Sequence, residues 1–312
     1  MESMNITVVV CTYNRCENLA KTLDSVAASM LPDSVTWEVL VVDNNSNDRT
    51  HEAVEGLRRR HGNRFRYLFE PHPGKSHALN AGIHEARGDI LAFLDDDVIV
   101  EPSWLRNLTA ALDSDEWAGS GGRILPAQSF SPPSWLSADE MNTWGAILAG
   151  IIDLGDKPCQ LGMAPYGSNM AFRKRMFEKY GEFRTDLGPS PDPKIPRPNE
   201  DTEFGRRLLA AGERLRYEPF AIVYHPVLPN RIRKEYFLTW WFDYGRSLIR
   251  EEKRTPHARV TLRYYLGMSA MIVARMAVRT VRWMWSLDPA RRFFRKCRVW
   301  MTAGQILEIY RQ

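Results

Sequence analysis

The stretch Asp89-Ile-Leu-Ala-Phe-Leu-Asp-Asp-Asp-Val98 joins an apolar run to three consecutive carboxylates. Residues 90–94 are predicted to form a strand buried on both faces, because no polar residue interrupts them. Asp95, Asp96 and Asp97 would then stand at its carboxyl end, where open α/β sheets bind their ligands. Adjacent anions repel one another, so the triplet indicates a metal or a set of hydrogen-bond donors; a solvated acidic turn is the alternative.

The residues before this stretch repeat a pattern of strand, polar loop and helix. Apolar runs at residues 6–11, 37–42 and 65–69 are each followed by turn residues and then by apolar residues at helical spacing. The alternation predicts an α/β fold, in which right-handed crossovers build a mostly parallel, Rossmann-like sheet flanked by helices. Since parallel strands end at a common edge, the polar segments 12–15, 43–48 and 95–97 are expected to converge there.

The second half of the chain has a looser pattern. Residues 118–133, 135–152 and 188–198 are rich in Gly, Ser, Pro or Trp, and we interpret them as substrate-facing loops. The regular elements predicted after residue 101 are a helix at 102–112, a strand at 168–172, a helix at 200–211 capped by Asn199, and short strands at 215–218 and 221–224 that lead to His225.

The C-terminal region is predicted to be helical and basic. From Arg254 onward the sequence has twelve basic and two acidic residues, which is a net charge of +10. Because the whole chain carries a net charge of +4, the first 253 residues carry 4 − 10 = −6. The apolar run at 264–274 within a helix at 262–285 has eleven residues, whereas a bilayer span needs about 20. An amphipathic helix on a membrane surface is one interpretation, and a helix packed on the first domain with its arginines in water is the other.

The cysteines and the N-terminus indicate the compartment. Cys11, Cys16, Cys159 and Cys297 have neither the spacing of a zinc site nor that of a disulfide framework. The first residues lead almost directly into a strand, with no signal-peptide pattern. The expected location is therefore the cytoplasm, with the inner face of the membrane as a peripheral docking surface.

The acidic strand end fits a divalent cation and a nucleotide diphosphate. Asp95 and Asp97, two residues apart on an extended segment, are expected to face the same way, with Asp96 turned aside. Carboxylates suit Mg²⁺ or Mn²⁺, and the imidazole of His225 would complete a Mn²⁺ site. A histidine with a purely structural role is the alternative for His225.

Five short motifs follow one another along the first 202 residues. They are Thr12-Tyr-Asn-Arg15, Val41-Val-Asp-Asn-Asn-Ser-Asn-Asp-Arg-Thr50, Gly74-Lys-Ser-His-Ala-Leu-Asn-Ala-Gly82, Phe93-Leu-Asp-Asp-Asp-Val98 and Asn199-Glu-Asp-Thr202. In this order they resemble the signature of the family 2 inverting glycosyltransferases of GT-A fold. The resemblance covers residues 6 to about 226, and residues 166–173 are similar to the acceptor-side segment of that family.

The resemblance implies a site for a nucleotide sugar, with a UDP-sugar as the predicted donor, at the carboxyl edge of the sheet. Asp97 would be the principal metal ligand, with Asp95 and His225 as the others. Thr12 and Tyr13 would contact the base and ribose, and Asp43 would accept a hydrogen bond from the base. The full set of implied donor-binding residues is Thr12, Tyr13, Asn14, Arg15, Asp43, Lys75, Asp95 and Asp96.

The resemblance also assigns the reaction. The pair Glu200 and Asp201 matches the catalytic motif of that family, in which the Asp is the base that takes the proton from the acceptor hydroxyl. The alternative is that acidic residues favour the first turn of a helix, by about 0.3–1 kcal/mol. Residues 1–232 are the predicted catalytic domain, and residues 233–312 a basic helical region that docks on a membrane or on the acceptor. The acceptor would be a saccharide or a lipid-linked saccharide.

Two other functions fit the fold class. A sugar nucleotidyltransferase would need a Gly-rich loop after the first strand, and residues 11–16 contain no glycine. A non-catalytic, membrane-associated assembly protein would have no reason to keep Asp95, Asp97 and Asp201. Nucleic acid is not an expected partner, because apolar residues interrupt the basic tail.

Overall fold

The computed structural model describes residues 5–136, 141–253 and 262–311. The chain forms two compact units. The first comprises Met1–Ser129, Ala149–Thr185 and Glu200–Pro226. The second comprises Phe130–Leu148, Asp186–Asn199 and Val227–Gln312. The domain boundary expected between residues 232 and 233 remains a prediction.

The first unit is built on a mixed sheet. Its four leading strands are parallel, as predicted, and lie in the order β3-β2-β1-β4; β8 continues the sheet antiparallel to β4. β6 then pairs antiparallel with β8 and parallel with β9, and the short strands β5 and β7 both pair with β9. The strands are β1 (Asn5–Thr12), β2 (Thr36–Asp43), β3 (Phe65–Phe69), β4 (Ile90–Asp95), β5 (Ile99–Val100), β6 (Gly119–Pro126), β7 (Cys159–Gln160), β8 (Met170–Arg173) and β9 (Leu215–His225).

Both faces of this sheet are buried. Val8 and Val10 of β1 belong to one apolar cluster with Trp104, while Val9 belongs to a second cluster with Phe93. The alternation follows from the pleat, which points successive side chains to opposite faces. The helices of this unit are α1 (Cys16–Ala27), α2 (Thr50–His61), α3 (Lys75–Glu85), α4 (Trp104–Ala110), α6 (Lys174–Tyr180) and α7 (Glu200–Ala210).

Two predictions about the second half of the sheet were wrong. Residues 118–133 are not one irregular loop, because Gly119–Pro126 is the internal strand β6. The Gly-rich sequence is required there: a Cβ on Gly122 would lie 2.3 Å from both the Ala221 carbonyl oxygen and the Asn169 amide nitrogen. The two short strands predicted at 215–218 and 221–224 are one strand, β9, whose pairing with β6 shifts register after Gly122.

The second unit is helical in its C-terminal segment. It contains α5 (Met141–Ala149), α8 (Lys234–Lys253), α9 (Leu262–Met284) and α10 (Pro289–Tyr310). The prediction of a loop throughout residues 135–152 was therefore wrong, although residues 137–140 lie outside the described residues. Arg254 and Arg259 of the predicted basic tail also lie outside them. In the part of the chain that the structure describes, no helix is both long and apolar enough to cross a bilayer.

The proline-rich segment at 188–198 is irregular, as predicted, and α8 holds it in place. The Arg250 guanidinium donates to the Asp186 carbonyl at 2.8 Å, and the Ser247 hydroxyl donates to the Pro198 carbonyl at 3.1 Å. Arg246 donates to the Lys194 carbonyl and pairs with the buried Glu308 of α10 at 3.0 Å. Side chains of one helix thus donate hydrogen bonds to backbone carbonyls in and just before this segment.

Candidate active site

Polar side chains meet at the carboxyl edge of the parallel strands. Thr12, at the end of β1, lies opposite Asp43, at the end of β2, and Cys11 lies opposite Asp95, at the end of β4. The predicted convergence of these strand ends is confirmed. It follows from the parallel register, since each strand runs in the same direction and stops at the same level.

The acidic triplet divides into two sets. Asp95 and Asp97 face His225, whose Nε2 lies 4.0 Å from Asp95 Oδ2 and 3.7 Å from Asp97 Oδ1. Asp96 is buried on the other side, where it accepts a hydrogen bond from the Thr12 hydroxyl at 2.7 Å and one from Arg15 at 3.1 Å. Asp96 is therefore turned away from His225, although β4 ends at Asp95 and residues 96 and 97 form a turn and not an extended segment.

Asp95, Asp97 and His225 could hold a metal ion, because one ligand atom from each lies within 4.8 Å of the others. Ligands of a cation with bonds of about 2.1 Å lie about 3 to 4.2 Å apart in octahedral geometry, which matches the separations from Nε2. The His225 Nδ1 lies 3.0 Å from the Pro226 carbonyl oxygen. A carbonyl only accepts hydrogen bonds, so Nδ1 is the donor of this bond and Nε2 is the ring nitrogen directed at the carboxylates, where it could bind a metal.

Two cations offset part of the negative charge. Arg15 bridges Asp96 and Asp97, at 3.1 and 3.0 Å. The Lys75 ammonium, at the start of α3, lies 2.7 Å from Asp95 and 3.5 Å from Glu200. Burial opposes its charge, but the carboxylates of Asp95 and Glu200 raise the pKa of Lys75 well above its usual value. Four carboxyl groups thus face two cations, which leaves negative charge that a divalent cation could balance.

Burial also shifts the pKa values of two of the carboxyl groups. It raises the pKa of Asp96 to about 6, against the opposing effects of Arg15 and the Thr12 hydrogen bond. Burial and the neighbouring Asp201 raise the pKa of Glu200 to about 7, with Lys75 acting in the opposite direction. Such shifts are common where carboxylates are gathered in a reaction centre.

Backbone amides orient the Asp201 carboxylate in the first turn of α7. Its Oδ2 accepts a hydrogen bond from the Gly167 N–H at 2.6 Å, and its Oδ1 accepts one from the Thr202 N–H at 2.6 Å. Each oxygen keeps a further lone pair that can accept a proton from a bound hydroxyl. Asn199, the predicted cap of this helix, has a φ of 87° and its side-chain amide donates to Glu251 at 3.0 Å.

Hydrogen bonds join the polar loops that follow β1 and β2. The Asn14 N–H donates to the Ser46 hydroxyl at 2.9 Å, and the side-chain amide oxygen of Asn14 accepts from the Asn47 N–H at 2.8 Å. The Asp43 carboxylate accepts from the Ser46 N–H at 2.9 Å and from the Tyr67 hydroxyl at 2.7 Å. Tyr13 is exposed beside them, so a planar ring would have access to it.

Three residues that orient the site were not found by sequence reasoning. Tyr67 bonds Asp43, Gly167 bonds Asp201, and the buried Asn44 accepts from the Gly74 N–H at 2.7 Å and donates to the His72 carbonyl at 2.7 Å. Asn44 thereby positions the turn that leads to Lys75. Gly167 and Asn44 had a signal, because they lie within the segments 166–173 and 43–48; the partners of Tyr67 and Asn44 depend on strand register and loop closure.

Known proteins of related sequence are glycosyltransferases. The profile of the family Glycosyl transferase family 2 matches residues 7–181. The succinoglycan biosynthesis protein ExoM of Rhizobium meliloti is 33% identical over 235 residues, which are 74% of this chain and 69% of ExoM. The glucosyl-dolichyl phosphate glucuronosyltransferase of Haloferax volcanii is 26% identical over 258 residues, 79% of this chain and 77% of that protein.

A solved structure shares the fold. The mannosyltransferase PcManGT from Pyrobaculum calidifontis, in complex with GDP-Man and Mn²⁺, superposes with a TM-score of 0.63 at 18% identity, over 98% of this chain and 87% of that one. The fold is therefore of GT-A type, as the resemblance implied. The profile match over more than half of the chain shows that the protein belongs to glycosyltransferase family 2, a family of inverting enzymes.

Proposed function

We propose that this protein transfers a sugar, with inversion, from a nucleotide-sugar donor to a hydroxyl of a saccharide or lipid-linked saccharide. One observation carries the proposal: the Lys75 ammonium contacts both Asp95, in the candidate metal site, and Glu200, the neighbour of Asp201. The residues suited to hold the leaving group and the residue suited to act on the acceptor thus lie around one cation.

In this proposal Asp97, Asp95 and His225 bind Mn²⁺ or Mg²⁺. When bound, the cation would offset the charge of the departing diphosphate. Thr12, Tyr13 and the Asp43 carboxylate contact the base and ribose of the donor. Asn14, Arg15, Lys75 and Asp96 complete the donor site, with Asn14, Arg15 and Asp96 shaping its loops through the hydrogen bonds described above.

Asp201 acts as the general base. As the acceptor oxygen forms its bond to the anomeric carbon, the bond from that carbon to the diphosphate breaks and the hydroxyl proton passes to Asp201. The Gly167 and Thr202 amides hold the carboxylate in one orientation, which reduces the rearrangement needed at the moment of transfer. Glu200 adjoins Asp201 and is bound to Lys75, so its role is to position this helix turn.

The relatives support the choice of substrates. The Haloferax volcanii relative is named for a glucosyl-dolichyl phosphate acceptor, ExoM for succinoglycan biosynthesis, and the solved mannosyltransferase for GDP-Man and Mn²⁺. We infer an acceptor of the lipid-linked or polysaccharide class, and keep a UDP-sugar as the predicted donor. The C-terminal helices, residues 233–312, would bring the enzyme to a membrane surface on its cytoplasmic side.

A donor screen followed by one substitution tests the proposal. UDP- and GDP-sugars are screened with Mn²⁺ by thermal shift, and transfer to lipid-linked saccharides is then measured with the donors that bind. Asp201→Asn should lower turnover by about 10²- to 10⁴-fold and retain donor binding, because only the proton acceptor is lost. Glu203→Gln, on the same helix and paired with Arg207, is the control and should keep its turnover.

Two outcomes would count against the proposed function. Unchanged turnover in Asp201→Asn would contradict its role as base. If the chain bound no nucleotide sugar and transferred from none, the alternative of a non-catalytic assembly protein would be favoured.

A further inference from the structure

Helix α9 has an exposed apolar side. Val281 is 55% exposed and Trp285, just beyond the helix, is 81% exposed. At 3.6 residues per turn, positions 271, 274, 278, 281 and 285 form one stripe along the helix. The exposed large apolar residues on this stripe, which we call the α9 apolar face, are Met271, Val278, Val281 and Trp285, and Val273 and Met284 are exposed beside it.

The opposite side of α9 packs within the second unit. Ile272 forms a buried cluster with Ile249 of α8 and Ile309 of α10, and the rings of Trp283 and Trp300 meet edge to face at 6.2 Å. The α9 apolar face is therefore not simply the core side of a poorly packed helix. α9 already has an apolar contact surface, and the exposed stripe is a second one.

An arginine-lined recess lies beside this face, between α9 and α10. It has a volume of about 470 Å³ and is lined by Arg279, Arg282, Arg291, Arg295, Arg298 and Phe294. Within the described residues, no carboxylate forms an ion pair with these guanidinium groups. Burial, together with the neighbouring charges of Arg298 and Arg275, lowers the pKa of Arg279. Like charges gathered in one recess are destabilising unless an anion joins them.

We propose that this recess binds the phosphate of an anionic membrane lipid while the α9 apolar face inserts among the acyl chains. Charge complementarity favours a lipid surface over a second copy of the chain. The only acidic residues from 262 to 311 are Asp288 and Glu308. Asp288 caps α10 through the Arg291 N–H, and Glu308 pairs with Arg246 and Arg250, so a second copy of α9 and α10 would offer the arginines no free carboxylate.

The inference deepens the proposed membrane-linked acceptor, but it concerns lipid binding alone. It therefore does not depend on sugar transfer, and a negative result would leave the donor screen and the Asp201 experiment unaffected.

Vesicle flotation of the full chain tests the inference. The protein should bind phosphatidylcholine vesicles that contain phosphatidylglycerol and should not bind vesicles of phosphatidylcholine alone. Because each arginine near an anionic surface contributes about fivefold in affinity, Arg282→Gln with Arg298→Gln should weaken binding roughly 25-fold. Arg58→Gln with Arg59→Gln, exposed on α2, removes the same charge and should leave binding unchanged.

The apolar contribution is tested separately. Val278→Gln with Val281→Gln should weaken vesicle binding, whereas Phe220→Gln, at an exposed apolar residue of the first unit, should not. All variants are first checked by circular dichroism and thermal unfolding, so that a loss of binding cannot reflect unfolding.

Four results would overturn the proposal. Equal binding to both kinds of vesicle, or binding that survives loss of Arg282 and Arg298, would remove the phosphate role. A thermal shift with inorganic pyrophosphate that depends on these arginines, without vesicle binding, would assign the recess to a free phosphate ligand. Concentration-dependent dimerisation abolished by Val278→Gln and Val281→Gln would assign the α9 apolar face to a second copy.

Discussion

The orientation of Asp201 depends on a residue that has no side chain. A Cβ added to Gly167 would lie 3.0 Å from Asp201 Oδ2, the same oxygen that accepts the Gly167 N–H. The amide can approach the carboxylate at 2.6 Å only because this space is empty. Backbone groups therefore contribute to the geometry of the site as much as its acidic side chains do.

Gly167→Ala should lower kcat about tenfold and leave donor affinity unchanged. The new methyl group displaces the Asp201 carboxylate by a few tenths of an ångström, and small misplacements of a reacting group are costly. Steady-state kinetics and donor titration measure the two effects. Gly162→Ala is the control, because a Cβ there meets nothing within 4 Å; equal kinetics in the two variants would contradict the positioning role.

Glu200 makes a testable contribution to the pH dependence of stability. Its pKa is raised to about 7 in the folded protein, first by burial and then by Asp201, so the folded state binds more protons than the unfolded state between pH 4.5 and 7. The free energy of unfolding should therefore fall as pH rises through this window. Compared with Glu200→Gln in metal-free buffer, the wild type should lose stability as the pH rises from 4.5 to 7; parallel curves would show that folding does not raise the pKa of Glu200.

At the scale of elements, α8 and α10 cross with their backbones in close contact. A Cβ on Gly304 would lie 2.0 Å from the Phe242 carbonyl oxygen, and one on Gly245 would lie 2.0 Å from that of Met301. The two glycines lie on facing helices, and each contacts a backbone carbonyl of the opposite helix. Close crossing of this kind requires residues without side chains, since backbone atoms cannot move aside as a flexible side chain does.

Gly304→Ala should destabilise the protein by about 1–3 kcal/mol, because the helices must separate to admit the methyl group. Gly56→Ala on α2 is the matched control: its Cβ meets only Arg59 Nη2 at 3.9 Å, so the change should stabilise by about 0.5–1 kcal/mol. Chemical denaturation measures both free energies of unfolding. A stabilising effect at Gly304 would mean that α8 and α10 do not cross as described.

At the scale of the whole molecule, the candidate metal site joins distant parts of the chain. Asp95 ends β4, Asp97 follows two residues later, and His225 ends β9, so the three ligand atoms come together only when the sheet is complete. A cation that needs all three would bind the native state and not the unfolded chain. Metal affinity and folding are then linked.

Mn²⁺ should raise the melting temperature, and EDTA should reverse the change. At a concentration of about 100 times the dissociation constant, binding contributes about 2.7 kcal/mol to stability. Asp97→Asn should abolish the response, whereas Asp33→Asn, on an exposed loop, should keep it. A shift that persists in Asp97→Asn would place the metal elsewhere.

Local sequence was sufficient to predict the strands whose apolar residues follow one another without interruption. The apolar runs of β1, β2 and β4 predicted both their burial and the meeting of their ends, because periodicity and direction are local properties of the chain. Local sequence failed for β6, where Gly119 and Gly122 look like loop residues. The close approach of Phe172 to Gly119, and of Asn169 and Ala221 to Gly122, is visible only in the assembled sheet. It also failed for α5, whose Gly and Trp residues resemble a loop.

The sequence by itself therefore determined the parallel half of the sheet, the family and the identity of the acidic residues, because spacing and motif order are written along the chain. Only the tertiary structure decided which atoms meet: Asp96 with Thr12 and Arg15, the Nε2 of His225 with Asp95 and Asp97, and Asp201 with the Gly167 amide. These partners lie far apart in sequence, and their distances depend on strand register and backbone closure, which no local pattern encodes.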